Sequence, residues 1–304
     1  MSLYKKYRPE TLEGFQGNEN IVVSLETNLE NLTNFPHSVL FHGPTGCGKT
    51  TLARICAKGL NVGDSDIKEI DSAQFRGIDT VREIRKQSQY APMAGSRRVW
   101  IIDEVHKLTN DAQNAFLKIL EETPKHVYFF LCTTEPNKLI PAIKNRCIDY
   151  QVTPLSEREM MKLLRKVTRA EDENLERKVF DQIVRDSFGH SRNALQILEK
   201  VFSVPQEKRL EMAMKAAEQQ SQSIELCRAL LRKAGWKEIR LILSGLKEED
   251  PEGIRRHVLA YLTTVLLNEE SSLAAAIMED FLEPFYNSGF SGLVYACYRT
   301  TIME

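Results

Sequence analysis

No apolar run approaches eighteen residues anywhere in this 304-residue chain, so no segment reads as a membrane-spanning helix. The opening MSLYKKYRPE has no apolar core, which excludes a signal-peptide reading and leads to the expectation of a cytoplasmic protein. The six cysteines (Cys47, Cys56, Cys132, Cys147, Cys227 and Cys297) include no CxxC pair. That excludes the usual zinc-module spacing, and scattered single thiols fit a reducing compartment. There is also no basic excess. The net charge is −1, so any surface for a polyanion has to be local and balanced by acid elsewhere. Internal repeats and low-complexity tracts are absent too. What is there is ordinary for a soluble globular protein: 42% apolar and 27% charged residues, in a chain long enough for two or three domains.

The first half alternates short β-rich runs with helical patterns. SVLFHG (38–43), IKEID (67–71), RRVWIID (97–103) and VYFFLCTT (127–134) read as strands. TLARICAKGL (51–60), VREIRKQSQY (81–90) and DAQNAFLKILEE (111–122) have helical spacing. Nearly unbroken apolar strands alternating with helices predict an α/β fold, a parallel sheet covered on both faces. After TPLSE (153–157) the pattern becomes helical throughout, with SVPQEKR (203–209) as a connection. In IRRHVLAYLTTVLL (254–267), Val258, Leu259, Leu262, Val265 and Leu266 fall on one stripe, suited to ordinary core or to an oligomer contact. The expected organisation is a nucleotide-binding domain over 1–152, a small helical domain over 153–205 and a second helical domain over 206–304.

The strongest motif is GPTGCGKTT, which runs Gly43, Pro44, Thr45, Gly46, Cys47, Gly48, Lys49, Thr50, Thr51. It matches GxxxxGK[ST] and lies between an expected strand and an expected helix, the context a phosphate loop requires. Glycines let backbone N–H groups close around phosphate oxygens, and the helix N-terminus adds partial positive charge. Lys49 can reach β- and γ-phosphates, and the Thr50 hydroxyl can ligate Mg²⁺. Cys47 reads as a small loop residue. The second half of such a site is RVWIIDEVH, where an apolar strand ends in Asp103 and Glu104. Asp103 suits the Mg²⁺ shell, and Glu104 suits the orientation or deprotonation of an attacking water. The strand 127–134 ends in Thr133 and Thr134. Such a pair either forms a turn or sets a hydroxyl beside the γ-phosphate, and Thr134 is the catalytic candidate.

In this order, these pieces resemble the clamp-loader branch of the AAA+ ATPases, the bacterial gamma/tau subunits and the replication factor C small subunits. The resemblance is densest over residues 4–200. It implies an AAA+ nucleotide-binding domain, a helical lid and an all-helical collar. KKYRPETLEGFQGNENI is similar to the family's adenine-side motif, with Tyr7, Arg8 and Pro9 at its core. GHSRNAL is similar to the sensor-2 helix, which implies that Arg192 lies near the nucleotide. TTEPNKLIPAIKNRC is similar to the sensor-1 stretch running into the family's Ser-Arg-Cys motif, with Asn145 in place of the serine. AKGLNVGDSDIKEID passes the position of the bacterial zinc insertion without a cysteine, and a tau-type extension is not expected. The compact length is nearer to replication factor C small subunits or phage loaders.

The resemblance implies that Arg146 is an arginine finger, completing the ATP site of a neighbouring subunit. It implies ATP and Mg²⁺ as cofactors. The implied partners are a sliding clamp, primer–template DNA, further copies of the chain and a different clamp-loader subunit. Residues 74–98 carry Arg76, Arg82, Arg85, Lys86, Arg97 and Arg98 against Asp79 and Glu83, a local excess of four positive charges. Arg82, Arg85 and Lys86 share a helix face, either solvated or holding phosphates without reading bases. FRGIDTVRE resembles a DNA-facing helix start, which adds Arg76, Ile78 and, more weakly, Lys107 to the DNA candidates. By the same resemblance Arg76 would contact Glu104 while DNA is absent. Two other readings stand beside clamp loading: another AAA+ machine, such as a helicase loader or branch-migration motor, and a subunit that holds ATP as a scaffold with negligible turnover.

Overall fold

The computed structural model describes residues 2–302 apart from 94, 221, 248 and 269. They divide into two compact units, one of Leu3–Glu159 with His190–Arg192, the other of Met160–Gly189 with the chain from Asn193 onward.

The first unit is a three-layer α/β structure. In chain order its elements are α1 (Leu3–Lys6), α2 (Glu19–Glu30), β1 (Ser38–His42), α3 (Lys49–Gly59), β2 (Ile67–Asp71), α4 (Ile78–Ser88), β3 (Arg98–Asp103), α5 (Asn110–Glu121), β4 (Val127–Thr133), α6 (Pro141–Lys144) and β5 (Ile148–Gln151). The strands lie in the order β2-β3-β4-β1-β5, all parallel. Alternation along each strand builds two apolar layers. Val39, Phe41, Ile101, Phe130 and Cys132 face Leu25 of α2 and Leu52 and Cys56 of α3. Leu40, Trp100, Ile102, Phe129 and Leu131 face Val81 and Ile84 of α4 and Phe116 and Ile119 of α5. Burial on both faces is why β4 reads as an unbroken apolar run.

The strand order places β1 between β4 and β5, so the chain reverses direction of winding beside the loop that leaves β1. Ligands in open parallel sheets bind in the crevice at such a point, beyond the carboxyl ends of the strands. The edge strand β5 escaped the sequence reading. Only Tyr150 of its four residues is buried, so it carries no apolar run.

The second unit is helical. After α7 (Glu157–Ala170), which begins in the first unit, come α8 (Arg177–Ser187), α9 (Ser191–Phe202), α10 (Arg209–Gln220), α11 (Gln222–Leu231), α12 (Trp236–Gly245), α13 (Pro251–Asn268), α14 (Ser272–Asp280) and α15 (Gly289–Thr301). The expected connection 203–209 is short and anchored. Arg209 donates to the Val204 and Asn174 carbonyls and to Glu173, and α10 packs along α8. The buried stripe of α13 is Ile254, Val258, Tyr261, Leu262 and Val265. Leu259 and Leu266 are half-buried at its margin.

Candidate nucleotide site

Residues 43–50 carry the chain from β1 into α3. Two glycines fix the loop's path. Gly43 has φ 141°, and a Cβ there would lie 2.0 Å from the Val152 carbonyl oxygen. Gly48 has φ 104°, and its Cβ would meet the Phe15 ring at 2.8 Å. Neither position tolerates a side chain. The Gly43 amide is taken by the Thr133 carbonyl at 3.2 Å, while the amides of residues 45–50 have no partner among the described residues and stay open for a ligand.

Lys49 is 6% exposed, and its Nζ donates to the carbonyls of Gly43 and Pro44, both at 2.8 Å. Among the described residues no carboxylate forms an ion pair with it. Burial lowers its pKa, opposed by the nearby charge of Glu104. An ammonium held by two neutral oxygens of its own loop is a cation waiting for phosphate. Cys47 is buried, and desolvation pushes its thiol up to about 11, which fits a packing role.

Across the loop, Thr50 Oγ1 donates to Asp103 Oδ2 at 2.8 Å. Asp103 Oδ1 accepts from the Glu104 amide at 3.0 Å. Glu104 has φ 48°, in the left-handed region that non-glycine residues rarely enter, so the chain turns sharply off β3. Its carboxylate accepts from Thr134 Oγ1 at 3.2 Å. The sequence candidates Lys49, Thr50, Asp103, Glu104 and Thr134 are thus brought to one end of the sheet by β1, β3 and β4. The Thr50 hydroxyl and Asp103 carboxylate form a hard-oxygen pair of the kind Mg²⁺ takes beside phosphates.

His106 was not singled out in the sequence, although it closes the DEVH motif. Its side chain is 1% exposed; Nδ1 lies 2.9 Å from Thr133 Oγ1 and 3.3 Å from Glu104, and Nε2 lies 3.2 Å from Glu135. Burial lowers its pKa, opposed by the two glutamates. Phe15 was missed as well, because an isolated aromatic carries no motif.

Residues 190–192 belong to this unit and touch the loop. Ser191 Oγ donates to the Gly46 carbonyl at 3.2 Å, and His190 Nδ1 lies 3.5 Å from Cys47 Sγ. Arg192 stands 5.9 Å over the Tyr4 ring, with its Cβ close to Gly46. Tyr7 and Arg8 close the turn after α1 through their amides, followed by Pro9. Thr51 lies in the first turn of α3.

Other candidates sit apart from this cluster. Arg146 donates to the Ala142 carbonyl and pairs with Glu121, and none of these contacts is with the phosphate loop. Arg76 donates to the Ala73 carbonyl at 3.2 Å, so it does not make the expected contact with Glu104, whose carboxylate is held by Thr134 and His106. The basic stretch is also less free than its sequence implied. Arg98 is buried, ion-paired with Asp66 and donating to the Gln87, Tyr90 and Ala91 carbonyls. Arg97 donates to the Leu60 carbonyl. Arg82 pairs with Asp79, and Arg85 with Glu122. Lys86 and Lys107 are exposed, and Ile78 opens α4. Ile78, Arg82 and Arg85 line a groove of about 380 Å³ against α5.

The sheet order, the phosphate loop and the carboxylates at the end of β3 define an AAA+ nucleotide-binding fold. The RuvB Holliday junction branch migration motor of Thermotoga maritima has this fold, with a TM-score of 0.61 at 22% identity over 74% of this chain and 78% of that one. Its A156S mutant gives 0.65 at 19% identity over 86% and 91%. By sequence the chain is similar to the gamma/tau subunits of bacterial DNA polymerase III. It is 34% identical over 226 residues to the gamma/tau subunit of Mycobacterium tuberculosis, covering 67% of this chain and 39% of that one. It is 35% identical over 223 residues to the Bacillus subtilis tau subunit, covering 66% and 39%. Against the gamma subunit of Buchnera aphidicola the match is 32% over 223 residues, covering 66% and 60%. The chain therefore spans about two fifths of the length of the first two relatives. The family described as DNA polymerase III, delta subunit, matches residues 62–156, a segment that begins after the phosphate loop.

Proposed function

We propose that this chain is an ATPase subunit of a sliding-clamp loader. The observation that carries the reading is the cluster of Lys49, Thr50, Asp103, Glu104 and Thr134 at one sheet end, in a chain related to gamma/tau subunits. The open amides of residues 45–50 and Lys49 bind the phosphates of ATP. Thr50 and Asp103 would hold Mg²⁺, which when bound would neutralise charge on the phosphates. Glu104, its rotamer fixed by Thr134 and His106, orients the attacking water and accepts its proton. Arg192 lies beside the loop to contact the nucleotide.

Arg146, in contact with Ala142 and Glu121 and not with its own loop, supplies its guanidinium to the site of a neighbouring subunit. A finger given in trans is worth on the order of 10³–10⁵ in rate for GTPases. Residues 206–304 act as the collar that joins copies of the chain with a different subunit, and residues 153–205 as the lid domain. ATP binding opens the clamp, primer–template DNA docks on α4 and the turn before it through Arg76, Arg82, Arg85 and Lys86, and hydrolysis releases the closed clamp.

The test is steady-state ATP turnover with and without primer–template DNA and clamp, scanned over protein concentration. Turnover per chain should rise as subunits associate, and DNA should stimulate it. Turnover that stays flat with DNA, clamp and partner subunits all present would sink the proposal.

A further inference from the structure

Helix α7 buries Met160, Leu163, Leu164, Val167 and Thr168 on one side. Its other side exposes Lys162, Arg165, Lys166 and Arg169, spaced i, i+3, i+4 and i+7. Among the described residues none of these four side chains has a hydrogen bond or an ion pair. That separates them from the basic stretch around α4, where Arg82 and Arg85 are paired with carboxylates and Arg98 is buried. Glu173 pairs with Arg209 and Glu176 with Lys178, while Asp172, just past the helix, is exposed. Like charges at helical i, i+3 and i+4 spacing repel and weaken the helix. The macrodipole accounts for Arg169 in the last turn but not for Lys162, two turns earlier.

Beside this face lies a groove of about 270 Å³. Arg165 and Arg169 of α7 and Arg177 of α8 line it, with Glu173. Arg177 meets Asp181 only at 3.6 Å. The apolar residues of the groove, Leu175 and Phe180, are already 7% and 8% exposed, so they offer little to an apolar anchor. What the groove presents is guanidinium, whose planar fork matches phosphate oxygens.

We propose that the exposed face of α7, with Arg177, is a binding surface for the phosphate backbone of nucleic acid, separate from α4. The inference rests on the DNA-directed function proposed above and adds a surface to it. From Lys162 to Arg169 the row rises about 10 Å along the helix, while one strand of a duplex presents a phosphate about every 3.4 Å of its axis, so the row spans about three phosphates. The contacts are ionic and read no bases.

The experiment is equilibrium binding of a fluorescent primer–template duplex to the full chain across a salt series, using three proteins. These are the wild type, the triple variant K162A/R165A/R169A, and the triple variant R82A/R85A/K86A. All six positions are exposed, so both variants should fold as the wild type does. The expected result for the α7 variant is a slope of log K against log salt shallower by about 2 to 3, near 0.9 per cation removed. Its affinity should fall at least tenfold at low salt, while R165K/R169K keeps the wild-type slope. An unchanged slope in the α7 variant, with a reduced one in the α4 variant, would overturn this inference and leave the proposed function standing. Wild-type protein that binds no DNA, alone or assembled, would remove both. A third arm uses polyglutamate as competitor. If it displaces DNA no better from wild type than from the α7 variant, the nucleic-acid assignment is supported. If it binds the wild type at low micromolar concentration and loses that binding in the α7 variant while DNA affinity is unchanged, the face serves an acidic protein and the assignment fails.

Discussion

Two of the sites where this molecule buries charge are closed in opposite ways. In the helical unit, Glu252 accepts from Arg255 through both oxygens, at 2.7 and 2.8 Å. It also accepts from Arg256 at 3.1 Å and from the Phe285 amide at 3.0 Å. Arg255 passes its remaining donors to the Phe281 and Leu282 carbonyls. The arginine hydrogen bonds, above all, hold the Glu252 carboxyl down at about 2. At the sheet end of the first unit, Lys49 is just as buried, yet it meets only two carbonyls of its own loop. A satisfied cluster ties α13 to the non-helical segment 281–285 that follows α14 and has nothing left to offer. An unsatisfied one costs stability and keeps a charge available for a ligand.

That contrast predicts opposite outcomes for removing one charge from each. Lys49→Met should lower ATP turnover by roughly 10²–10³, the scale of losing one preorganised donor, and should abolish measurable nucleotide binding. Its thermal midpoint should stay level or rise, since a desolvated ammonium has been removed. Turnover and calorimetric unfolding on the same samples would check both halves. Glu252→Gln should leave nucleotide binding unchanged and cost about 3 kcal/mol of stability, because two guanidiniums lose their carboxylate. A urea unfolding midpoint equal to wild type would break the comparison.

The pH dependence sharpens it. The folded Glu252 value of about 2 lies below its usual 4.5, so between these values the unfolded chain binds more protons. Its stabilisation is complete above about pH 4.5 and fades as the pH falls towards 2. Glu252→Gln should flatten the stability profile across that window, read from urea midpoints at successive pH values. The smallest expected effect is at the surface. Glu121→Ala removes the partner of the half-exposed Arg146 and should shift stability by under about 1 kcal/mol. In assembled protein it should leave turnover intact or raise it, whereas Arg146→Ala should cut turnover and spare ATP binding.

The strands and helices that carry the nucleotide site were legible because each is written in local signals. The phosphate loop needs glycines at fixed offsets, and β3 and β4 are apolar because both their faces are covered. The Phe15–Gly48 contact and the His106 bridge to Glu104 and Glu135 were not legible, since each joins residues from different segments around a turn. The pairing within the basic stretch 74–98 was hidden for the same reason. A count of charges along the chain does not show that Arg98 turns inward to Asp66 or that Arg85 meets Glu122 on another helix.

The sequence by itself determined the element types, the loop between β1 and α3 and the residue types at the end of β3, because propensity, periodicity and backbone permission act over a few residues. Only the tertiary structure decided the strand order that gathers Lys49, Thr50, Asp103, Glu104 and Thr134, and which cations remain without partners. Those outcomes depend on which surfaces packing brings within a few ångströms of one another, and charge pairing, desolvation and hydrogen bonding respond to that distance rather than to separation along the chain.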